Sequence, residues 1–79
     1  MGKFYTANNE LKDYLVGLGF TFHDRGEDDG ILYYTEHTTG KQVKINNNVN
    51  LITLIDPYGR IEDESTSFTD NQIVKFLDK

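Results

Sequence analysis

The chain reads as an α+β domain, a two-layer sandwich in which a four- to five-stranded antiparallel meander carries an N-terminal and a C-terminal helix. Three observations predict this. Apolar residues recur at helical spacing near both ends, at Leu11, Tyr14, Leu15 and Leu18 and again at Ile73, Phe76 and Leu77. Between them, short runs of β-forming residues alternate with turn signals. The connections are short, which sets sequential strands side by side and leaves both helices to cover one face.

Taken in order, residues 1–6 form a lead-in whose Phe4 and Tyr5 can dock on the core. The first helix is expected from about Ala7 to Leu18, with Thr6 or Asn8 as its cap and Gly19 at the left-handed position that ends it. Phe20 to Arg25 alternates as a strand, and Gly26 to Gly30 is a loop full of acids. Ile31 to Glu36 is a second strand, and His37-Thr38-Thr39-Gly40 is a hairpin turn. Lys41 to Ile45 alternates cleanly, so one of its faces is buried and the other wet.

Asn46-Asn47-Asn48 is a turn, because asparagine tolerates left-handed backbone. Leu51 to Ile55 is nearly all apolar, which predicts a strand at the sheet centre, covered on both faces. Asp56-Pro57-Tyr58-Gly59 is the strongest turn signal in the chain, and Arg60 to Glu64 is a charged, edge-like strand. Thr69 and Gln72 fit a capping box for the last helix, with Phe68 and Ile73 as its hydrophobic staple. Residues 31–45 and 50–64 share a strand–turn–strand plan, in which Gly40 matches Gly59. Any two consecutive hairpins with glycine turns share that much.

Length and composition set the limits. Seventy-nine residues allow one domain, spanning residues 1–79. The hydrophobic share of 37% is low, but ten residues are Phe or Tyr. Each can bury about 150–250 Å². A single core is therefore feasible without a cofactor or a disulfide, and the chain has no cysteine to make one. The net charge of −5 opposes general nucleic-acid binding, which needs a basic face. No apolar run is long enough to span a membrane, and the first residues lack the apolar core of a signal peptide. The expectation is a cytoplasmic protein with no membrane partner, either a monomer or a homodimer formed across a free sheet edge.

Seven of the 13 acidic residues lie in two short runs. Asp24, Glu27, Asp28 and Asp29 surround the first loop. They lack the alternate spacing, central glycine and final glutamate of a calcium loop, so the expected roles are a solvated turn or a partner contact, with no metal. In the second run, strand alternation would put Glu62 and Glu64 on one face and Asp63 on the other. If the fold joins the two runs, with Asp70 nearby, they make a broad anionic surface able to mimic nucleic acid. Tyr58 adds an aromatic in a turn, a residue type suited to interfaces.

His23 and His37 stand alone, with no metal-ligand or nucleophile spacing around them, and the chain has no phosphate loop. Lys41, Lys44 and Arg60 are interleaved with Tyr33, Tyr34 and Tyr58, a weak form of the pattern by which sheets hold single strands. The expected function is a non-enzymatic, acidic protein-binding or regulatory module. One form would be an inhibitor that presents an anionic surface to a nucleic-acid-handling protein. Its candidate contacts are Asp24, Glu27, Asp28, Asp29, Glu62, Glu64 and Tyr58. The alternatives are a single-stranded nucleic-acid-binding sheet and a small hydrolase centred on a histidine.

Overall fold

The computed structural model describes residues 2–26 and 29–78. Seven strands and two helices follow in the order β1 (Phe4–Thr6), α1 (Asn9–Gly17), β2 (Phe20–Arg25), β3 (Ile31–Glu36), β4 (Gln42–Asn46), β5 (Leu51–Ile55), β6 (Ile61–Ser65), β7 (Ser67–Thr69) and α2 (Asp70–Asp78). Strands β2 to β6 form one antiparallel sheet in sequence order, with β4 at its centre. β1 and β7 make a separate two-stranded ribbon, pairing Phe4 with Thr69 and Tyr5 with Phe68. The α+β meander with a helix towards each end is thus present, and the ribbon is an addition to it.

Side-chain alternation divides the sheet into two faces. Phe20, Tyr34, Val43, Ile45, Ile52 and Leu54 point to one side and share a core with Leu11 and Leu15 of α1 and Ile73 and Phe76 of α2. Tyr5 and Phe68 bring the ribbon into the same core, where Tyr5 stacks on Tyr14 with ring centroids 4.5 Å apart. Both helices therefore lie on one face. The row Asp24–Tyr33–Lys44–Thr53–Glu64 crosses the other.

The helix ends explain themselves locally. The Asn8 side chain accepts from the N–H groups of Glu10 and Leu11, so Asn8 is the cap of α1, and Gly19 turns the chain out at φ +101°. At α2 the capping box is complete. Gln72 N–H donates to Thr69 Oγ1, and Thr69 N–H donates to Gln72 Oε1 at 2.8 Å.

The turns also follow their side chains. Glu36 accepts from the N–H groups of Thr38 and Thr39 and from the Thr39 hydroxyl. Asp56 accepts from the N–H groups of Tyr58 and Arg60. Gly40 and Gly59 both take positive φ. In the asparagine loop the left-handed residue is Asn50, while Asn46 folds its side chain onto the N–H of Asn48.

Three expectations need correction. β5 lies one strand from the edge, and the helices cover only one of its faces. On the other face, Thr53 and Ile55 are buried without a helix above them. Thr53 lies between Lys44 and Glu64, and Ile55 between Gln42 and Ile61, so longer cross-strand neighbours close over them. Second, residues 4–6 are a strand, with Tyr5 buried and Phe4 exposed. Third, Lys41 is only 4% exposed, and its ammonium group donates to the Phe76 carbonyl at the end of α2. It keeps the same phase as Val43 and Ile45, and so enters the covered side.

Candidate functional site

The two edge strands each carry one extra residue. In β2, Phe22 pairs with Tyr34 and Asp24 with Tyr33, which leaves His23 over. In β6, Ile61 pairs with Ile55 and Asp63 with Leu54, which leaves Glu62 over. Such bulges bend the strand and break its regular edge. They also reset which side chains share a face.

At β6 the reset changes the expected site. Glu62 and Asp63 line one cleft, together with Leu54, Phe68, Gln72, Lys75 and Phe76, between the strand and α2. Glu64 lies on the opposite face of the sheet, where it accepts the Thr53 hydroxyl at 2.7 Å. Glu62 and Glu64 therefore do not share a face, because the bulge inserts one residue between two otherwise alternating positions. Ile61 to Glu64 are all exposed. Ile61 is 64% exposed, and Tyr58, in the turn before it, is 88% exposed. The Asp56 carboxylate ties this turn down through two backbone N–H groups, so Tyr58 projects from a fixed base.

Among the described residues, the two acidic runs do not meet. β2 and β6 are opposite edges of the sheet. Four strand spacings separate them, about 19 Å. Asp24 and Glu64 lie at the two ends of one cross-strand row, with Lys44 between them. Asp29 is exposed, and Glu27 and Asp28 lie outside the described residues. Asp70 sits at the start of α2, where its N–H donates to the Lys3 carbonyl. The result is two separate acidic edges.

The other candidates also separate. Lys41 is buried against α2, Lys44 stands over the Tyr33 ring at 6.0 Å on the open face, and Arg60 is exposed beside the β5–β6 turn. Tyr34 belongs to the core, where burial pushes its phenol above the usual range. His37 Nε2 and Thr21 Oγ1 are 2.6 Å apart, joining the β3–β4 turn to β2, and both residues are exposed. His23 lines a shallow concavity on the open face with Asp24, Arg25, Gly26, Tyr33 and Gln42. Among the described residues, no group of three or more His, Cys, Asp or Glu is placed to hold a metal ion. No described helix is long and apolar enough to cross a membrane. Comparison with protein-family models, with curated proteins and with solved structures finds no match to this chain.

Proposed function

We propose that the chain is a non-enzymatic protein-binding module that meets its partner through the β5–β6 hairpin and the acidic edge strand beyond its turn. The exposure of that hairpin carries the reading. Tyr58 and Ile61 stand in solvent immediately before Glu62, Asp63 and Glu64. Tyrosine brings large contact area at low entropic cost, and a neighbouring run of carboxylates favours a basic partner and speeds its approach. The bulge at Glu62 makes strand addition along this edge unfavourable, so recognition runs through side chains. An inhibitor that offers this edge to the basic surface of a nucleic-acid-handling protein is one form such a module takes.

Of the alternatives, extended nucleic-acid binding loses support because Lys41 is buried and carboxylates close both ends of the Lys44 row. The test is capture of partners by the tagged protein from its own host's lysate, at low and high salt, with and without nuclease. The expected result is a protein retained at low salt, lost at high salt and indifferent to nuclease. Tyr58→Ala and the pair Glu62→Lys/Asp63→Lys should each release it. Capture that vanishes with nuclease, or that survives both variants, overturns the reading.

A further inference from the structure

The concavity on the open face lies across the sheet from the β6 edge, and protein binding there leaves it unused. It measures about 430 Å³ and is lined by His23, Asp24, Arg25, Gly26, Tyr33 and Gln42. That volume falls within the range of small-molecule sites, about 300–1,000 Å³. Tyr33 is its aromatic wall, paired across strands with Asp24 on one side and Lys44 on the other. The β2 bulge brings His23 and Asp24 to the same rim. Gly26 keeps the space beside the ring clear. A Cβ there would lie 2.4 Å from Ile31 Cγ2 and 3.5 Å from Tyr33 Cε2. A side chain at 26 is therefore excluded by Ile31 and would otherwise crowd Tyr33.

We propose that this concavity binds a nucleotide. The base stacks on Tyr33, its N–H edge faces the Asp24 carboxylate and the Gln42 amide, and the phosphate is met by Arg25. Each part follows from the residues present. An aromatic ring on an open sheet face is a stacking platform for any base. Arg25 lines the concavity as a cation in an otherwise acidic chain, and Arg matches phosphate oxygens in a bidentate fork. Asp24 would repel an acidic peptide but accepts N–H donors, which favours guanine, with its adjacent ring N–H and amino group, over uracil. The ligand is either a free nucleotide or one residue of a single strand, since both present the same base and phosphate.

The test is a titration followed by amide chemical shifts, using GMP, UMP, inorganic phosphate and a short single-stranded oligonucleotide in separate arms. With GMP, shifts should cluster at residues 23–26, 33 and 42–44, and UMP should bind more weakly. Tyr33→Leu keeps an apolar side chain at a half-buried site and should weaken GMP by about tenfold or more. Arg25→Ala changes an exposed residue outside the core and should weaken GMP without altering the spectrum of the free protein. A much tighter, salt-dependent response to the oligonucleotide assigns the site to single strands, and equal affinity assigns it to the free nucleotide. The proposal fails if millimolar GMP moves no resonance, if the shifts cluster elsewhere, or if inorganic phosphate alone reproduces them.

Discussion

The ammonium group of Lys41 donates to the backbone carbonyl of Phe76 and also lies 5.3 Å from the centre of its ring. One side chain thus fastens the β3–β4 hairpin to the last turn of α2. Carbonyls at a helix end have no partner within the helix, and a cation there also interacts favourably with the negative end of the helix dipole. Lys41→Met keeps the apolar stem and removes the donor. Urea unfolding should show a loss of about 1–3 kcal/mol, with α2 fraying first in hydrogen exchange. Unchanged stability would mean that the contact contributes nothing net.

Glu36 is 8% exposed at the start of the same hairpin. The Thr38 N–H holds its carboxyl below the ordinary value of 4.5, against the opposing effect of burial, and the Thr39 hydroxyl adds to the lowering. A carboxyl whose pKa is lower in the folded state stabilises the fold above its unfolded pKa. That contribution is lost as pH falls through the folded value. Glu36→Gln should therefore flatten the acid limb of stability against pH, and lower stability near neutrality by about 1–2 kcal/mol. Parallel acid limbs in the two proteins would remove Glu36 from the account.

Gly59 has φ +86°, and a Cβ there would meet nothing within 4 Å. Its substitution therefore isolates the backbone cost. Gly59→Ala should destabilise by about 1–2 kcal/mol, and Gly59→Asn by less, because asparagine visits this conformation more readily. Thermal unfolding of the two variants settles the order.

Thr69→Ala breaks the reciprocal pair with Gln72 and should cost about 1 kcal/mol, with the loss concentrated at the start of α2. Equal hydrogen exchange at the first amides of α2 in both proteins would contradict a capping role.

Local chemistry was the legible part. The Thr69 and Gln72 box, the Asp56 turn and the left-handed Gly19, Gly40 and Gly59 depend only on neighbours, and their residue types announce them. Lys41 was legible but misleading. Its charge suggests solvent, while its phase with Val43 and Ile45 places it inside. Phase was the better guide, because an end-of-strand lysine can stay on the covered face if a helix terminus offers it carbonyls.

The bulges were not legible, since neither His23 nor Glu62 differs in type from an ordinary strand residue. One such residue was enough to separate Glu62 from Glu64. The ribbon was hidden for another reason. Phe4–Thr6 is too short to show a period, and its partner lies at the far end of the chain. The concavity beside Tyr33 depends on the β2 bulge and on the close approach of Ile31 to Gly26, which no spacing rule reports.

The order of the sheet also has a kinetic consequence. Each strand from β3 to β6 bonds to the one before it, so the sheet grows through short hairpins, which close in about 1–10 μs. The pairing of Phe4 with Thr69 instead requires nearly the whole chain to be gathered first, and the entropy of closing that loop is met only after the meander exists. Folding should therefore run through the meander, with the ribbon docking late. Weakening the ribbon at Phe68 would leave the folding rate nearly unchanged and shorten the lifetime of the folded state.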